Sequence, residues 1–306
     1  MGLVAHPDSS AAIDFFVPWP KPLANSARAH VRNALALHKA VRRFQPSIVH
    51  SFSRLLYLAP LLASRIPKLM SYQRFTGGRQ ISLATAIAGP SLMFTGCSRF
   101  IAAMGGKSGG TWRAVPNFVD TDFYHFQPSF AADAPLVFLS RIEPIKGPDL
   151  AIAVAKQTGR RLVLAGNYAE AGAERRYWDE VIKPEIGKNG IEYVGPVGDE
   201  AKRELLGAAA AIIVPIQWDE PFGIVFAEAL ACGTPVITCP RGASPEIVRH
   251  GVEGFFMRDV EQGCRAVAKL GAIDRRACRA RAEQAFSTAA VVPQYEALYD
   301  ELLSKA

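Results

Sequence analysis

Two carboxylates, Glu220 and Glu228, stand with seven residues between them in the stretch EPFGIVFAEALACGTPVITCPRGASPEIVRHGVEG. A turn, Pro221-Phe222-Gly223, follows the first of them. An apolar, alanine-rich helix expected over 222–231 carries the second, and a strand over 236–238 comes next. A loop, a helix N-terminus and a strand in this order hold an anion on free backbone N–H groups. Two acids beside such a site suit a ligand with both phosphates and hydroxyls, and a nucleotide sugar has both. A helix acid in a plain surface ion pair is the simpler reading of Glu228. It is disfavoured because Ile224, Val225, Phe226, Ala227, Ala229 and Leu230 surround it, and a buried carboxylate needs a partner.

Arg141 and Lys146, in SRIEPIKGPDL, fall at the end of a strand expected over 136–140. Open α/β sheets take ligands at the carboxyl ends of their strands. Arg141 can fork onto phosphate oxygens, and Lys146 supplies a compact charge. Gly147 lets the chain turn beside them, and Pro148-Asp149 suits a helix start. Alone, the two cations would read as exposed charges near a turn. Together with the Glu220 segment they read as a site.

The elements that must position these groups alternate along the chain. A helix is expected over 26–44, where Val31, Leu35, Leu37, His38 and Val41 recur at helical spacing, and Pro46 closes it. Strand 47–50, helix 55–64, strand 68–72, helix 81–88 and strand 91–95 follow. The segment 127–135 is short, rich in Ala and Pro and without periodicity, so a domain boundary is expected near residue 130. A second series begins at strand 136–140. It runs through helix 148–157, strand 162–165, helix 173–185, strand 191–193, helix 199–208 and strand 211–214. The 222–231 helix, strand 236–238, helix 243–250 and a helical region over 261–303 complete it. Strand–helix alternation argues for parallel sheets covered on both faces. The fold class expected is α/β, with two doubly wound, Rossmann-like domains.

Composition narrows the functions. The 306 residues are 49% hydrophobic and 21% charged, ordinary for a soluble protein of two α/β domains. No apolar run is long enough to span a bilayer. The start, MGLVAHPDSS, has neither the pattern of a secretory leader nor that of a myristoylation site, so a cytoplasmic protein is expected. The five cysteines, Cys97, Cys232, Cys239, Cys264 and Cys278, are scattered without a CxxC pair, which points to reduced thiols rather than disulfides or zinc. Cys232 is expected to be core. Residues 1–130 carry 14 Lys and Arg against 4 Asp and no Glu, whereas residues 131–306 carry 21 against 24 acids. The first part thus favours an anionic partner: a charged acceptor or the inner membrane surface. Nucleic acid is not expected, because no aromatics are interleaved on a basic strand.

The second half resembles the retaining, two-domain glycosyltransferases of family 4, which have the GT-B architecture. The resemblance rests on Arg141, Lys146-Gly147, Glu220 and Glu228 in an E-x7-E motif, Gly233-Thr-Pro-Val236 and Pro245-Glu246-Ile247. It extends more weakly through Val115-Pro-Asn117 and Val119-Asp120. It covers roughly residues 45–260, and the helix around 295–303 is also similar.

The family implies two Rossmann-like domains facing a central cleft. These are an acceptor-side domain over 1–130, a donor-binding domain over 131–285 and a C-terminal helix, 286–306, packing back on the first. It implies transfer of a sugar from a nucleoside diphosphate to an acceptor hydroxyl with retention. Arg141 and Lys146 would hold the diphosphate, and Glu220 would contact sugar hydroxyls. The N–H groups of Phe222, Gly223 and Ile224 would meet sugar or phosphate. Glu228 would take the ribose hydroxyls, and Gly195, Pro196 and Val197 would lie near the base. No cofactor is implied, and donor binding is expected to be independent of metal, since Asp120-Thr-Asp122 falls in the interdomain region.

Two departures bear on the acceptor side. The family opens with a strand and a glycine-rich loop, whereas MGLVAHPDSS resembles the second strand, so one βα unit of roughly 30 residues is expected to be missing. Gly77-Gly78 could form a substitute anion nest, though a plain turn is the simpler reading. Where similar proteins read T-x-H, this chain has Ser71-Tyr72-Gln73-Arg74, so Gln73 and Arg74 can bind substrate without serving as a base. His50, after a buried strand, is a further cleft candidate. Two other functions fit the architecture: a donor-binding remnant without turnover, and a nucleotide-sugar 2-epimerase. The latter needs acid/base residues early in the chain, where residues 1–119 hold only Asp8 and Asp14 as acids.

Overall fold

In a computed structural model, all 306 residues are described except Ala11, Ala24, Phe75, Thr76 and Ala306. The chain divides into two compact units, Met1–Val115 with Pro293–Ala306 (unit 1) and Pro116–Val292 (unit 2). The division falls upstream of residue 130 because the intervening segment packs within unit 2. The Gln127 N–H donates to the Cys232 carbonyl at 3.0 Å, and the Arg279 guanidinium donates to the carbonyls of Tyr124 and Thr121.

Unit 1 holds a parallel pair of strands, β1 (Gly2–Ala5) and β2 (Phe15–Pro18). Helix α1 (Ala27–Phe44) follows. Ser26 Oγ accepts from the Ala29 N–H at its start, and Gln45, in the left-handed region before Pro46, ends it. Next come β3 (Val49–Ser51), β4 (Lys68–Tyr72), α2 (Arg79–Ala88), β5 (Leu92–Gly96), α3 (Arg99–Gly106) and β6 (Thr111–Ala114). The strands form a four-stranded sheet in the order β3-β4-β5-β6, parallel throughout. Its core joins Leu37 and Val41 of α1, Leu58 and Leu61, Ile81 of α2, and Met70 and Phe94 of the sheet.

The α1 face differs from the expected one. Ala29, Ala34, Leu37, Ala40 and Val41 face inward, while Val31 and Leu35 are about half exposed. The expected helix at 55–64 is a 3-10 helix, Leu55–Leu61, because Pro60 has no N–H to continue an α-helical ladder.

Unit 2 contains β7 (Leu136–Leu139), α4 (Pro148–Thr158), β8 (Leu162–Ala165), α5 (Gly172–Tyr177), β9 (Ile191–Gly195), α6 (Asp199–Ala208) and β10 (Ala211–Val214). These are followed by α7 (Ile224–Ala231), β11 (Val236–Thr238), α8 (Ser244–Ile247), β12 (Gly254–Phe256), α9 (Val260–Ala268) and α10 (Arg275–Phe286). The last helix, α11 (Thr288–Leu303), carries Pro293 inside it, at the point where the chain passes to unit 1. Six parallel strands lie in the order β12-β11-β10-β7-β8-β9. The strands β7, β8 and β10 are buried along their whole length, as their apolar runs require. The chain winds outward from β7 one way and from β10 the other, so the switch point lies at their carboxyl ends.

Three helix expectations need correction. The 173–185 helix is broken: α5 stops at Tyr177, a π turn spans Trp178–Ile182, and a 3-10 turn holds Pro184. Trp178 is buried there, stacked on Tyr168 with centroids 4.2 Å apart. The helix expected over 243–250 is the short α8. The one expected from Phe222 begins only at Ile224, after Gly223 in the left-handed region.

Candidate active site

The carboxyl ends of β7, β8, β9 and β10 and the start of α7 enclose a cavity of about 360 Å³ in unit 2. Its walls include Lys146 after β7, Gly166 and Asn167 after β8, Pro196 and Val197 after β9, and Glu220, Gly223, Ile224 and Glu228 from the β10–α7 segment.

Two loops are fitted together to make one side of it. Gly147 has φ +71°, and a Cβ added there would lie 2.3 Å from the Pro215 carbonyl oxygen. Only glycine lets the β7–α4 turn lie this close to the β10–α7 segment. The Gln217 N–H also donates to the Ile145 carbonyl at 2.8 Å. The contact sets Lys146 Nζ 2.6 Å from Glu220 Oε2, with both side chains nearly nine-tenths buried. Trp218 Nε1–H donates to the same Glu220 oxygen at 2.8 Å, and Lys146 Nζ lies 4.8 Å from the centre of the Trp218 ring. Glu220 is therefore fixed through Oε2 by a cation and an indole N–H.

Gly223, with φ +88°, precedes α7, and no side chain caps this helix. Ile224 and Val225 at its start line the cavity, so the positive end of its dipole opens there. Farther along α7, Glu228 is buried and shared. Tyr124 O–H and Lys202 Nζ both donate to its Oε1, each at 2.7 Å. Burial disfavours the charged form of Lys202, but its bonds to Glu228 and Tyr124 outweigh this and raise its pKa. Burial, then Glu228, pushes the Tyr124 phenol up, so it remains a donor.

Residues 120–277, a little over half of the chain, match the family model of the glycosyl transferases group 1. The chain belongs to that family. The chain is 33% identical over 159 residues to a D-inositol 3-phosphate glycosyltransferase of Mycobacterium marinum, a match covering 49% of this chain and 34% of that protein. The Mycolicibacterium smegmatis protein of the same name is 32% identical over 176 residues, covering 55% and 40%. The chain spans about a third to two fifths of the length of these curated relatives. Among solved structures, AviGT4, a glycosyltransferase involved in avilamycin A biosynthesis, superposes with a TM-score of 0.69. It is 27% identical, with 89% of this chain and 79% of that chain covered. Sucrose-phosphate synthase from Thermosynechococcus elongatus gives a TM-score of 0.76 at 21% identity, covering 98% and 87%. The fold is of the GT-B type, with two Rossmann-like units.

In this member of the family the residues expected from the sequence are only partly brought together. Lys146, Glu220, Gly223, Ile224, Glu228, Pro196 and Val197 share the cavity. Arg141 stands outside its lining, half exposed, and is paired with Glu143 at 2.5 Å. Gly195 ends β9, where its carbonyl accepts from the Gly166 N–H at 2.9 Å. Phe222 is buried with its ring edge against Phe286. Cys232 is fully buried, and burial pushes its thiol up to about 12, so it is core and not a nucleophile. Asp120 accepts from the N–H groups of Asp122 and Phe123 in a turn. Reading the sequence missed Trp218, Lys202, Tyr124 and Asn167. Trp218, two residues before Glu220, was the one with a nearby signal.

The acceptor-side candidates lie in unit 1. Gln73 and Arg74 follow β4 and are exposed. His50, on β3, has both ring nitrogens engaged: Nδ1 with Tyr299 Oη at 2.8 Å and Nε2 with Ser71 Oγ at 2.7 Å. Ser71 in turn meets Thr95 at 2.6 Å, and Tyr295 reaches the same pair. Gly77, with φ +136°, precedes the start of α2, where Gly78 is the cap residue.

Burial pushes His50 down to about 4, from an ordinary value of about 6.5. The unfolded chain takes up this proton first, so stability present above about pH 6.5 is lost as the pH falls towards about 4. The variant His50→Gln is expected to flatten that part of the curve relative to the parent. Urea unfolding at pH 7 and pH 5 checks it, and an equal loss in both proteins would remove the role of His50.

Proposed function

We propose that this chain takes a nucleoside diphosphate sugar in the unit 2 cavity and moves the sugar to an acceptor hydroxyl with retention of configuration. One observation carries the reading: the uncapped end of α7, the Lys146–Glu220 pair and the Glu228–Lys202 pair all face a single cavity. A diphosphate fits at the α7 N-terminus beside Lys146, with Arg141 swinging from Glu143 to join it. Glu220, and the N–H groups of Phe222, Gly223 and Ile224, face the sugar. Glu228 takes ribose hydroxyls, and Gly195, Pro196 and Val197 flank the base.

In the reaction the bond from the anomeric carbon to the phosphate oxygen breaks. The acceptor oxygen bonds to that carbon on the same face, and the leaving phosphate takes the acceptor proton. Lys146 and the helix N-terminus stabilise the charge growing on that phosphate. Gln73 and Arg74 are proposed to contact the acceptor, with His50 holding the strand beneath them.

A panel of UDP-, GDP- and ADP-sugars tested for thermal stabilisation, followed by transfer assays, tests the reading. One donor should raise the melting temperature in a concentration-dependent way and support transfer. Stabilisation by no nucleotide would sink it. Stabilisation without transfer would favour the second reading, a donor-binding remnant, which is open because the cavity lies wholly in unit 2.

The donor's charge is met by protein groups in this scheme, so activity should survive EDTA. Loss in EDTA with rescue by manganese would contradict that. The α1 surface also suggests where the protein works. Arg28, Val31, Arg32, Leu35, Lys39 and Arg42 form an exposed stripe on a helix without a single acid. Such a stripe suits the anionic cytoplasmic leaflet. No described helix is long and apolar enough to cross a membrane. Co-sedimentation with anionic vesicles that falls in Arg32→Glu/Lys39→Glu is the expected result, and equal sedimentation of parent and variant would count against it.

A further inference from the structure

A second hollow of about 430 Å³ lies at the far edge of the unit 2 sheet, between β12 and α9. None of its lining residues lines the donor cavity. Its walls carry His250, Arg258, Arg265 and Lys269 together with the rings of Phe255 and Phe256. No carboxylate lines it, although residues 131–306 hold more acids than bases. The nearest acids are already committed. Glu261 is paired with Arg265 one turn along α9, and Asp259 caps that helix and holds the Gln262 amide. The side chains of Arg258 and Lys269 have no partner among the described residues.

Gln262, Arg265, Ala266 and Lys269 recur at helical spacing, so they lie on one face of α9 and its end. The imidazole is also fixed. The Phe256 N–H donates to His250 Nδ1 at 2.9 Å, so a neutral ring carries its proton on Nε2 and offers it outward. The Phe256 ring lies 5.7 Å from the imidazole, tilted by 31°, and supplies an apolar wall beside this donor. Concentrated cations with few counter-charges, beside an oriented N–H and aromatic faces, call for an anion on a body with an apolar face.

We propose that this hollow is a second ligand site, taking a phosphate monoester carried on a sugar or polyol. Arg258, Lys269 and His250 Nε2–H hold the phosphate, and Phe256 packs against the ring of the polyol. The inference does not depend on the donor reading above. The phosphate monoester could be free in solution or carried on a lipid headgroup, and two arms distinguish these sources.

In the first arm, calorimetry with glucose 6-phosphate compares the parent chain, Arg258→Ser/Lys269→Ser and Lys146→Ala. In the second, the same three proteins, each also carrying Arg32→Glu/Lys39→Glu to silence the α1 stripe, are sedimented with phosphatidylcholine vesicles doped with phosphatidic acid. The altered side chains are exposed, so the double variant should melt with the parent. In at least one arm, binding should fall at least about tenfold in Arg258→Ser/Lys269→Ser and be unchanged in Lys146→Ala. A fall in the first arm assigns a free sugar phosphate, and a fall only in the second assigns a headgroup. The proposal is overturned if the double variant binds like the parent in both arms, or if binding is lost in Lys146→Ala instead.

Discussion

The variant Lys146→Ala is expected to lower kcat/KM by about 10²–10³ with the donor that stabilises the protein best. Among the described residues the lysine is the one cation paired with Glu220, at 2.6 Å in a place with little solvent. In the proposed reaction, removing it takes away a charge that faces the growing charge of the leaving group, and in the fold it strands a carboxylate. Breaking such a buried pair from one side costs about 3 kcal/mol or more of stability.

The two losses can be separated with Lys146→Ala/Glu220→Gln, which removes the stranded charge. The double variant should regain stability in urea unfolding but not activity. If Lys146→Ala turns over donor at the parent rate, the diphosphate is held elsewhere. Arg141, exposed and tied to Glu143, would then be the first residue to replace.

The second large effect is expected from Gly147→Ala. The left-handed conformation alone costs an alanine about 1–2 kcal/mol. The added methyl would also press on the Pro215 carbonyl at 2.3 Å, where nothing flexible can give way. Relief requires the two loops to part, and Lys146 moves with them. A misplacement of about 1 Å at a reacting centre can cost about 10² in rate.

Gly159 provides the control, because it too is left-handed, with φ +66°, but an added Cβ meets nothing within 4 Å. Gly159→Ala should therefore show the conformational cost and full activity, and Gly147→Ala a larger loss of stability with little activity. Equal unfolding free energies and equal rates for the two variants would show that the close contact does not position Lys146.

How much of this was legible depends on the range of the interaction. The β7 strand, the Lys146-Gly147 turn and the Glu220 to Glu228 spacing are local patterns, and apolar runs between turn residues reveal them. The α7 helix could be expected, though not its start, because Gly223 delays the first turn. Strand β12 was missed: three residues, Gly254–Phe256, are too few to show a period. Strand β6 was missed because its side chains alternate between exposed and half-buried behind a glycine pair.

The partners of Glu228 come from positions 124 and 202, and only the folded sheet brings them together. Helical spacing likewise showed that α1 is amphipathic. It did not show which side faces inward, because alanines fill the buried face and Val31 and Leu35 were left outside.

The composition of unit 1 from two separate stretches of chain has a consequence for synthesis. Unit 2 is continuous, and its sheet can be completed before Pro293–Ala306 has left the ribosome. The first-made strands cannot finish in the same way. His50 finds Tyr299, 249 positions later, only after translation has passed that point. The earlier stretch of unit 1 therefore matures after the later one has been made, and until then His50 lacks one of its two partners.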